Sequence, residues 1–279
     1  MHPLTNSIRT FNRFELKYIL PLQQVAKIKS ALSAYLNPDD YGNQSGRYAI
    51  TSLYYDSPAL RCYQEKLDGI KFRRKLRIRR YENEAAFTEE SPVFVEIKQR
   101  VDRVTQKRRI LLPYAEALSL CNDREMPACP SEDTATAEEI YVFLWQYNLQ
   151  PSSLVRYERE AWVGTEYDPG LRVTFDTELT FQSNNLHIHD QFDGLPMLPA
   201  HLVVMEIKVN ERIPYWLTDL IAVHNLQITR ISKYCCSVEA VQNMPVVSWR
   251  SPLPESARDV LSTAFSIFNP LKQKLDVSR

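Results

Sequence analysis

The chain has 279 residues, of which 44 % are apolar and 11 % aromatic, enough for a sizeable core in one large domain or two modest ones, which excludes a disordered tail. Lys plus Arg (34) equals Asp plus Glu (34), so no whole-molecule field draws in an anionic partner, and any such pull must come from local clustering. Glycine is scarce and forms neither GxxxxGK(S/T) nor GxGxxG, which excludes a glycine-rich phosphate loop, and the five cysteines without a CxxC fit neither a disulfide framework nor a zinc knuckle.

The first residues, MHPLTNSIRTFNRFELK, hold no apolar signal core, and no run approaches the ~18 apolar residues of a membrane helix. With its cysteines read as reduced thiols, the chain is expected to be cytoplasmic. Arg13 to Ile19 alternates as a strand, with Arg13, Glu15 and Lys17 on one face and Phe14, Leu16 and Tyr18 on the other. Pro21 to Leu36 reads as a helix, with Pro21 in its first turn and Val25, Ile28, Leu32 and Tyr35 at helical spacing. Arg47 to Tyr55 is a strand, and Asp56-Ser57-Pro58 starts a short helix that Asp68-Gly69 closes.

The run Lys71 to Tyr81 sorts at a period of two. Lys71, Arg73, Lys75, Arg77 and Arg79 point one way and Phe72, Leu76 and Ile78 the other, with Arg74 and Arg80 as exceptions. Strands follow over Val93–Arg100 and Lys107–Leu112, then a polar surface loop over Cys121–Asp133 and a helix over Thr136–Tyr147. Leu154–Trp162, Leu171–Asp176 and Leu202–Val209 read as strands, and Pro214–Leu226 and Glu255–Phe268 as helices. No internal linker or repeat interrupts the pattern. One domain over residues 10–245 with a C-terminal helical extension over 246–279 is expected.

The charged residues of these strands share a face of mixed sign: Glu15 with Lys17, Glu96 with Lys98, Arg156 with Glu158 and Glu160, Arg172 with Asp176, Glu206 with Lys208. An antiparallel sheet with one wet and one buried side accounts for any single strand. Two features favour a closed barrel with a polar lumen and helices outside. The charged face carries almost no Ser, Thr or Gln, and Glu-x-Lys recurs in three strands. Closing the sheet would converge its inward charges on one axis.

Glu15-Leu16-Lys17, Lys75-Leu76-Arg77-Ile78-Arg79, Val95-Glu96-Ile97-Lys98, Arg156-Tyr157, Arg172-Val173-Thr174-Phe175-Asp176, Glu206-Ile207-Lys208 and Ser232-Lys233-Tyr234 occur in that order. Together they resemble the triphosphate tunnel metalloenzymes (the CYTH-like superfamily), and more narrowly the VTC-type polyphosphate polymerase domain, over about Arg13 to Val241. The resemblance implies an α+β fold, an eight-stranded closed antiparallel β-barrel tunnel flanked by helices. It implies a metal-dependent polymerase that moves the γ-phosphate of ATP onto a growing polyphosphate chain. A tunnel triphosphatase acting on triphosphate or nucleoside triphosphate, and a non-catalytic polyphosphate-binding module, are the alternatives.

Carried over by motif, the phosphate ligands are Lys17, Arg77, Arg79, Lys98, Arg156, Arg172, Lys208, Ser232 and Lys233, with Arg77, Arg79, Lys208 and Lys233 catalytic. The resemblance further implies that Glu206 holds Mn²⁺ or Mg²⁺. The wider superfamily begins Glu-x-Glu-x-Lys, whereas Arg13 stands first here, which favours the polymerase branch over the hydrolases. Eukaryotic polymerases of this type carry membrane helices, so a membrane-protein partner stays open. Nucleic acid is not expected as a partner, because a groove binder usually shows a net-basic domain. Neither the oligomeric state nor the chain length of the product can be read.

His187-Ile188-His189-Asp190 has metal-like spacing but lies in a polar stretch, and His201 and His224 read as ordinary polar residues. Trp145, Trp162 and Trp216 read as packing between helices and sheet.

Overall fold

A computed structural model describes residues 11–41, 46–82, 86–102, 104–189, 191–210 and 212–243. The expected helix over 255–268, and the whole extension over 246–279, lie outside them.

The strands are β1 (Phe11–Pro21), β2 (Leu36–Pro38), β3 (Arg47–Asp56), β4 (Phe72–Tyr81), β5 (Pro92–Val101), β6 (Val104–Pro113), β7 (Gln150–Gly164), β8 (Arg172–Gln182), β9 (Leu195–Pro196) and β10 (Leu202–Val209), and all but β2 and β9 form where the strand patterns predict them. All pairings are antiparallel, in the order β2-β7-β3-β4-β5-β6-β1-β10-β8-β9. Ten strands thus stand where eight are expected. Each extra strand is short: β2 pairs with β7 at Trp162–Gly164, and β9 with β8 at Thr180 and Phe181. Strands β7 and β8, far apart in that order, also pair with each other from Leu154↔Gln182 to Val163↔Arg172.

The helices follow their caps and apolar spacing. They are α1 (Leu22–Leu32), α2 (Arg61–Leu67), α3 (Tyr114–Leu118), α4 (Ser131–Gln146), α5 (Tyr215–Val223) and α6 (Lys233–Gln242). Pro21 precedes α1, whose Val25, Ile28 and Leu32 are buried as predicted, although the helix ends four residues early. The Asp56 carboxylate accepts hydrogen bonds from the backbone N–H of Ser57, Cys62 and Tyr63 at 2.7, 2.8 and 3.0 Å, satisfying donors at the start of α2. The predicted loop after α3 starts instead as a π-helical turn, Ser119–Asp123, because Leu120 and Cys121 are fully buried there.

One face of the strands packs under helices in two apolar layers. Leu76, Ile78, Val95, Ile97 and Ile110 cluster with Ala137, Ile140 and Phe143 of α4. Tyr18, Phe175, Met205 and Ile207 cluster with Ile28 and Leu32 of α1 and Leu217 of α5. Even the exceptions in the basic strand obey this division. Arg74 lies on the Phe143 ring at 4.1 Å and Arg80 on Phe87 at 4.2 Å, each burying its stem on the outer side. Alternation then leaves the opposite face of the other long strands to charged residues, while β3 contributes Tyr48 and Tyr54 there.

Candidate functional site

The charged face surrounds a cavity of about 1740 Å³. Sixteen Lys or Arg line it against five Asp or Glu, an excess of eleven positive charges in a chain whose net charge is zero. The local clustering that composition alone left open is therefore in this cavity.

Glu206 of β10 is the centre of one ion cluster. Its Oε1 lies 2.9 Å from Lys17 and 3.6 Å from Lys233; its Oε2 lies 3.0 Å from Lys208 and 3.6 Å from Arg159. Antiparallel register brings them together, since β1 sets Lys17 opposite Glu206 and Glu15 opposite Lys208. Asp176 of β8 forms a second cluster, accepting from Arg159 at 2.7 and 2.8 Å and from Lys233 at 2.5 Å. Glu96 of β5 forms a third, with Arg77 at 2.6 Å, Lys107 at 2.9 Å and Arg79 at 4.0 Å. Lys98 holds Glu15 at 2.7 Å.

These contacts set the ionisation of the cavity. Burial opposes charge on Glu206, but Lys17, Lys208 and Lys233 outweigh it and hold the carboxyl well below the usual range. Burial also pushes against Glu15, yet Lys98 and Lys17 bring it down to about 2. For Lys208 burial wins. The attraction of Glu206 is offset in part by repulsion from Arg159, and the ammonium falls to about 8. Two phenols shift downward against their burial: Lys107 and Arg79 draw Tyr81 down to about 7, and Arg77 and Arg79 draw Tyr54 down to about 8.

Of the residues expected to grip phosphate, Lys17, Arg77, Arg79, Lys98, Arg172, Lys208, Ser232 and Lys233 all line the cavity. Ser232 accepts from Lys75 at 2.9 Å, and Lys233, the first residue of α6, is 8 % exposed among strand residues. Arg172 pairs with Asp39 and donates to the Tyr48 hydroxyl at 2.9 Å.

Arg156 is not among the lining residues and is corrected. It pairs with Glu82 at 3.0 Å and Glu158 at 3.1 Å on the other face of β7, where Glu160 also accepts from Lys29 of α1 at 2.6 Å. Leu154, on the same side of the alternation, belongs to the apolar layer and fixes which face is outer. The inward cation of β7 is Arg159, beside Tyr157. Sequence reading also passed over Lys107 and Arg109 of β6, both lining the cavity; their spacing of two was the available signal.

Among the described residues no group of three or more Asp, Glu, His or Cys side chains converges to hold a metal ion. Both oxygens of Glu206 already face ammonium or guanidinium groups. The side chains present therefore do not make a metal site at Glu206 by themselves, because a hard divalent ion needs several oxygen ligands and these neighbours repel it. At the His187–His189 stretch, the backbone N–H of the buried Ile188 donates to the Tyr114 hydroxyl at 2.8 Å, a packing role; Asp190 lies outside the described residues.

The family model described as VTC domain matches residues 12–242. No curated protein matches the chain. Among solved structures, the chain is similar to a candidate adenylate cyclase from Bacillus halodurans, at 11 % identity and TM-score 0.49, covering 81 % of this chain and 96 % of that one. A second candidate adenylate cyclase, from Vibrio parahaemolyticus, is similar at 12 % identity and TM-score 0.42, over 81 % and 98 %. A candidate adenylyl cyclase from Hippeastrum, described as having a dominant triphosphatase activity, is similar at 13 % identity and TM-score 0.44, over 86 % and 98 %.

Proposed function

The chain belongs to the VTC-domain family, and on that premise we propose that it is a polyphosphate polymerase, moving the terminal phosphoryl group of ATP onto a polyphosphate chain. The observation that carries this reading is the excess of eleven cations around one cavity of a neutral chain. The β7–β8 pairing supports a tunnel. Following partners from β7 through β3, β4, β5, β6, β1, β10 and β8 leads back to β7, with β2 and β9 lying beside that cycle. A tunnel fits a linear polyanion.

In the proposed step, the bond between the γ-phosphorus and the β,γ-bridging oxygen breaks. A bond forms from a terminal oxygen of the chain to that phosphorus, and ADP leaves with the electron pair. The acceptor oxygen is already ionised, so no side chain need remove a proton. The protein's work is alignment and neutralisation. Arg77 and Arg79 supply planar forks for the equatorial oxygens, and Lys208 and Lys233 supply point charges, with Lys17, Lys98, Arg172 and Ser232 holding flanking phosphates. Arg159 takes the place first given to Arg156.

Hydrolysis would need an activated water. The Glu206 and Glu96 carboxylates are held well below the usual range by their cations, which makes them weak bases and supports transfer over hydrolysis. A Mg²⁺ or Mn²⁺ ion belongs to this scheme as part of the nucleotide substrate. No helix among the described residues is long and apolar enough to cross a membrane. The test is incubation of the protein with ATP and Mn²⁺, with the products run on a gel. Long chains are expected. Free phosphate alone would replace the reading with a triphosphatase, and chain binding without turnover would replace it with a binding module.

A further inference from the structure

The two ends of the cavity differ in chemistry, and the register of β4 orders them. From Arg77, one direction along the inward face leads to Lys75 and Arg73, which sit opposite Lys98 and Arg100 of β5. Lys71, Lys66 and Arg230 also line the cavity, and the carboxylates on this side are Asp102 and the Glu15 that Lys98 holds. The other direction leads to Arg79, opposite Phe94, and then Tyr81. Here rings gather. Tyr41 lies 5.2 Å from Tyr48 and 5.3 Å from Tyr81, both edge-on, and Tyr81 lies 5.8 Å from Phe94. Asp39 and Asp40 line this same end.

We propose that the aromatic end is the subsite for the nucleobase and ribose of the nucleotide donor, and that the basic end takes the polyphosphate chain. The inference rests on the reading of the cavity as a site for a nucleoside triphosphate. Tyr41 lines the cavity and is 46 % exposed, so aromatic surface is offered there instead of being sealed in the core. Edge-on contacts with two other tyrosines fix the plane of that ring, and its exposed surface offers a base something to stack on. Asp39 is tied to the same segment, accepting from the Tyr41 backbone N–H at 3.3 Å.

Two further observations assign the occupants. Asp39 is already paired with Arg172, but the exposed Asp40 beside it repels a long polyanion and can accept hydrogen bonds from a ribose hydroxyl or an exocyclic amine. Arg109 lies over Phe94 at 4.1 Å, and its buried Nε has no hydrogen-bond partner among the described residues, an unused donor beside the rings. A nucleotide bound this way places its base at Tyr41 and its phosphates at Arg79 and Arg77. Its γ-phosphate then points toward Lys75 and Arg73, where the acceptor waits.

The test compares a non-hydrolysable ATP analogue with inorganic tripolyphosphate on the full chain. Tyr41→Ala should weaken the analogue about tenfold, the loss of one stacking contact, while tripolyphosphate affinity moves less than twofold. Tyr41→Trp should restore analogue binding, and its fluorescence should be quenched by the analogue but not by tripolyphosphate. Arg73→Ala with Arg100→Ala should weaken long-chain polyphosphate at least tenfold and the analogue less than twofold. If wild-type protein binds both ligands and Tyr41→Ala weakens both equally or neither, the end assignment is wrong and the functional reading stands. If wild-type protein binds tripolyphosphate but not the analogue, the nucleoside subsite is overturned. If it binds neither, both fall.

Discussion

Leu76 and Arg77 are neighbours on β4, yet they are satisfied by opposite means. Leu76 is fully buried in a layer with Ile140 and Phe143, where shape and area do the stabilising. Arg77 faces the cavity and is held by Glu96 at 2.6 Å and by the Tyr54 hydroxyl at 3.1 Å. The outer face is complete without a ligand. The inner face is only partly offset by a few carboxylates, Glu206, Asp176 and Glu96, each shared among several cations. Those carboxylates keep the Lys and Arg side chains in position until a polyanion supplies more negative charge. Damage to the outer face should therefore appear in stability whatever the ligand, and damage to the inner face in ligand-dependent quantities.

The largest effect should come from the outer layer. Phe143→Ala removes a fully buried ring and should lower unfolding stability by about 3–5 kcal/mol in a urea titration. Tripolyphosphate should leave the gap between variant and wild type unchanged. Next, Arg79→Met should reduce kcat/KM for ATP by the equivalent of about 2–4 kcal/mol, as for a lost donor to a developing oxyanion. Its stability should change less than that of the Phe143 variant, because Glu96 keeps Arg77 and Lys107. A full-rate Arg79 variant would remove that residue from the site.

Glu206→Gln sharpens the comparison further. It leaves Lys17, Lys208, Lys233 and Arg159 short of one negative charge and should cost about 1–3 kcal/mol, below the range for a sealed pair because the cavity admits water. Unlike the outer-layer deficit, this one should shrink when tripolyphosphate is added, since the ligand replaces the missing anion. An unchanged deficit in thermal melts would contradict the account of Glu206 as a counter-ion.

The smallest effect is a titration. Tyr81 is drawn down to about 7, below the ordinary phenol value of ~10, so between those pH values the unfolded state binds more protons. Tyr81 therefore adds stability that is present at high pH and lost as pH falls through about 7. A tyrosinate absorbance band should rise near neutral pH, disappear in Tyr81→Phe, and move to higher pH with tripolyphosphate as Lys107 and Arg79 are neutralised. A phenol band unmoved by the ligand would place the polyanion elsewhere.

Much of this division was legible in the sequence where one face of a strand is purely apolar. In β4, β5 and β10 the alternation of Leu76, Ile78, Val95, Ile97, Met205 and Ile207 with charged residues admits one orientation. Strand β7 defeated the same reasoning because both its faces carry charge: Arg156, Glu158 and Glu160 outside, Arg159 inside. A one-residue choice of face then decides the site, and only the long-range packing of Leu154 settles it. The cluster around Asp176 was equally hidden, because Lys233 reaches it from a distant point in the chain, and that around Glu96 because Lys107 meets it only through the β5–β6 pairing. The aromatic end was hidden for the same reason, since Tyr41, Tyr48, Tyr81 and Phe94 meet only through pairing and loop placement.

The central claim is that the inward charges form one site for a linear phosphate chain, and calorimetric titration of the wild-type protein with inorganic tripolyphosphate tests it most directly. The account expects one binding event per chain, weakened by added salt and by Lys233→Met. Absence of binding at low ionic strength, or binding that Lys233→Met and Arg79→Met leave untouched, would contradict it.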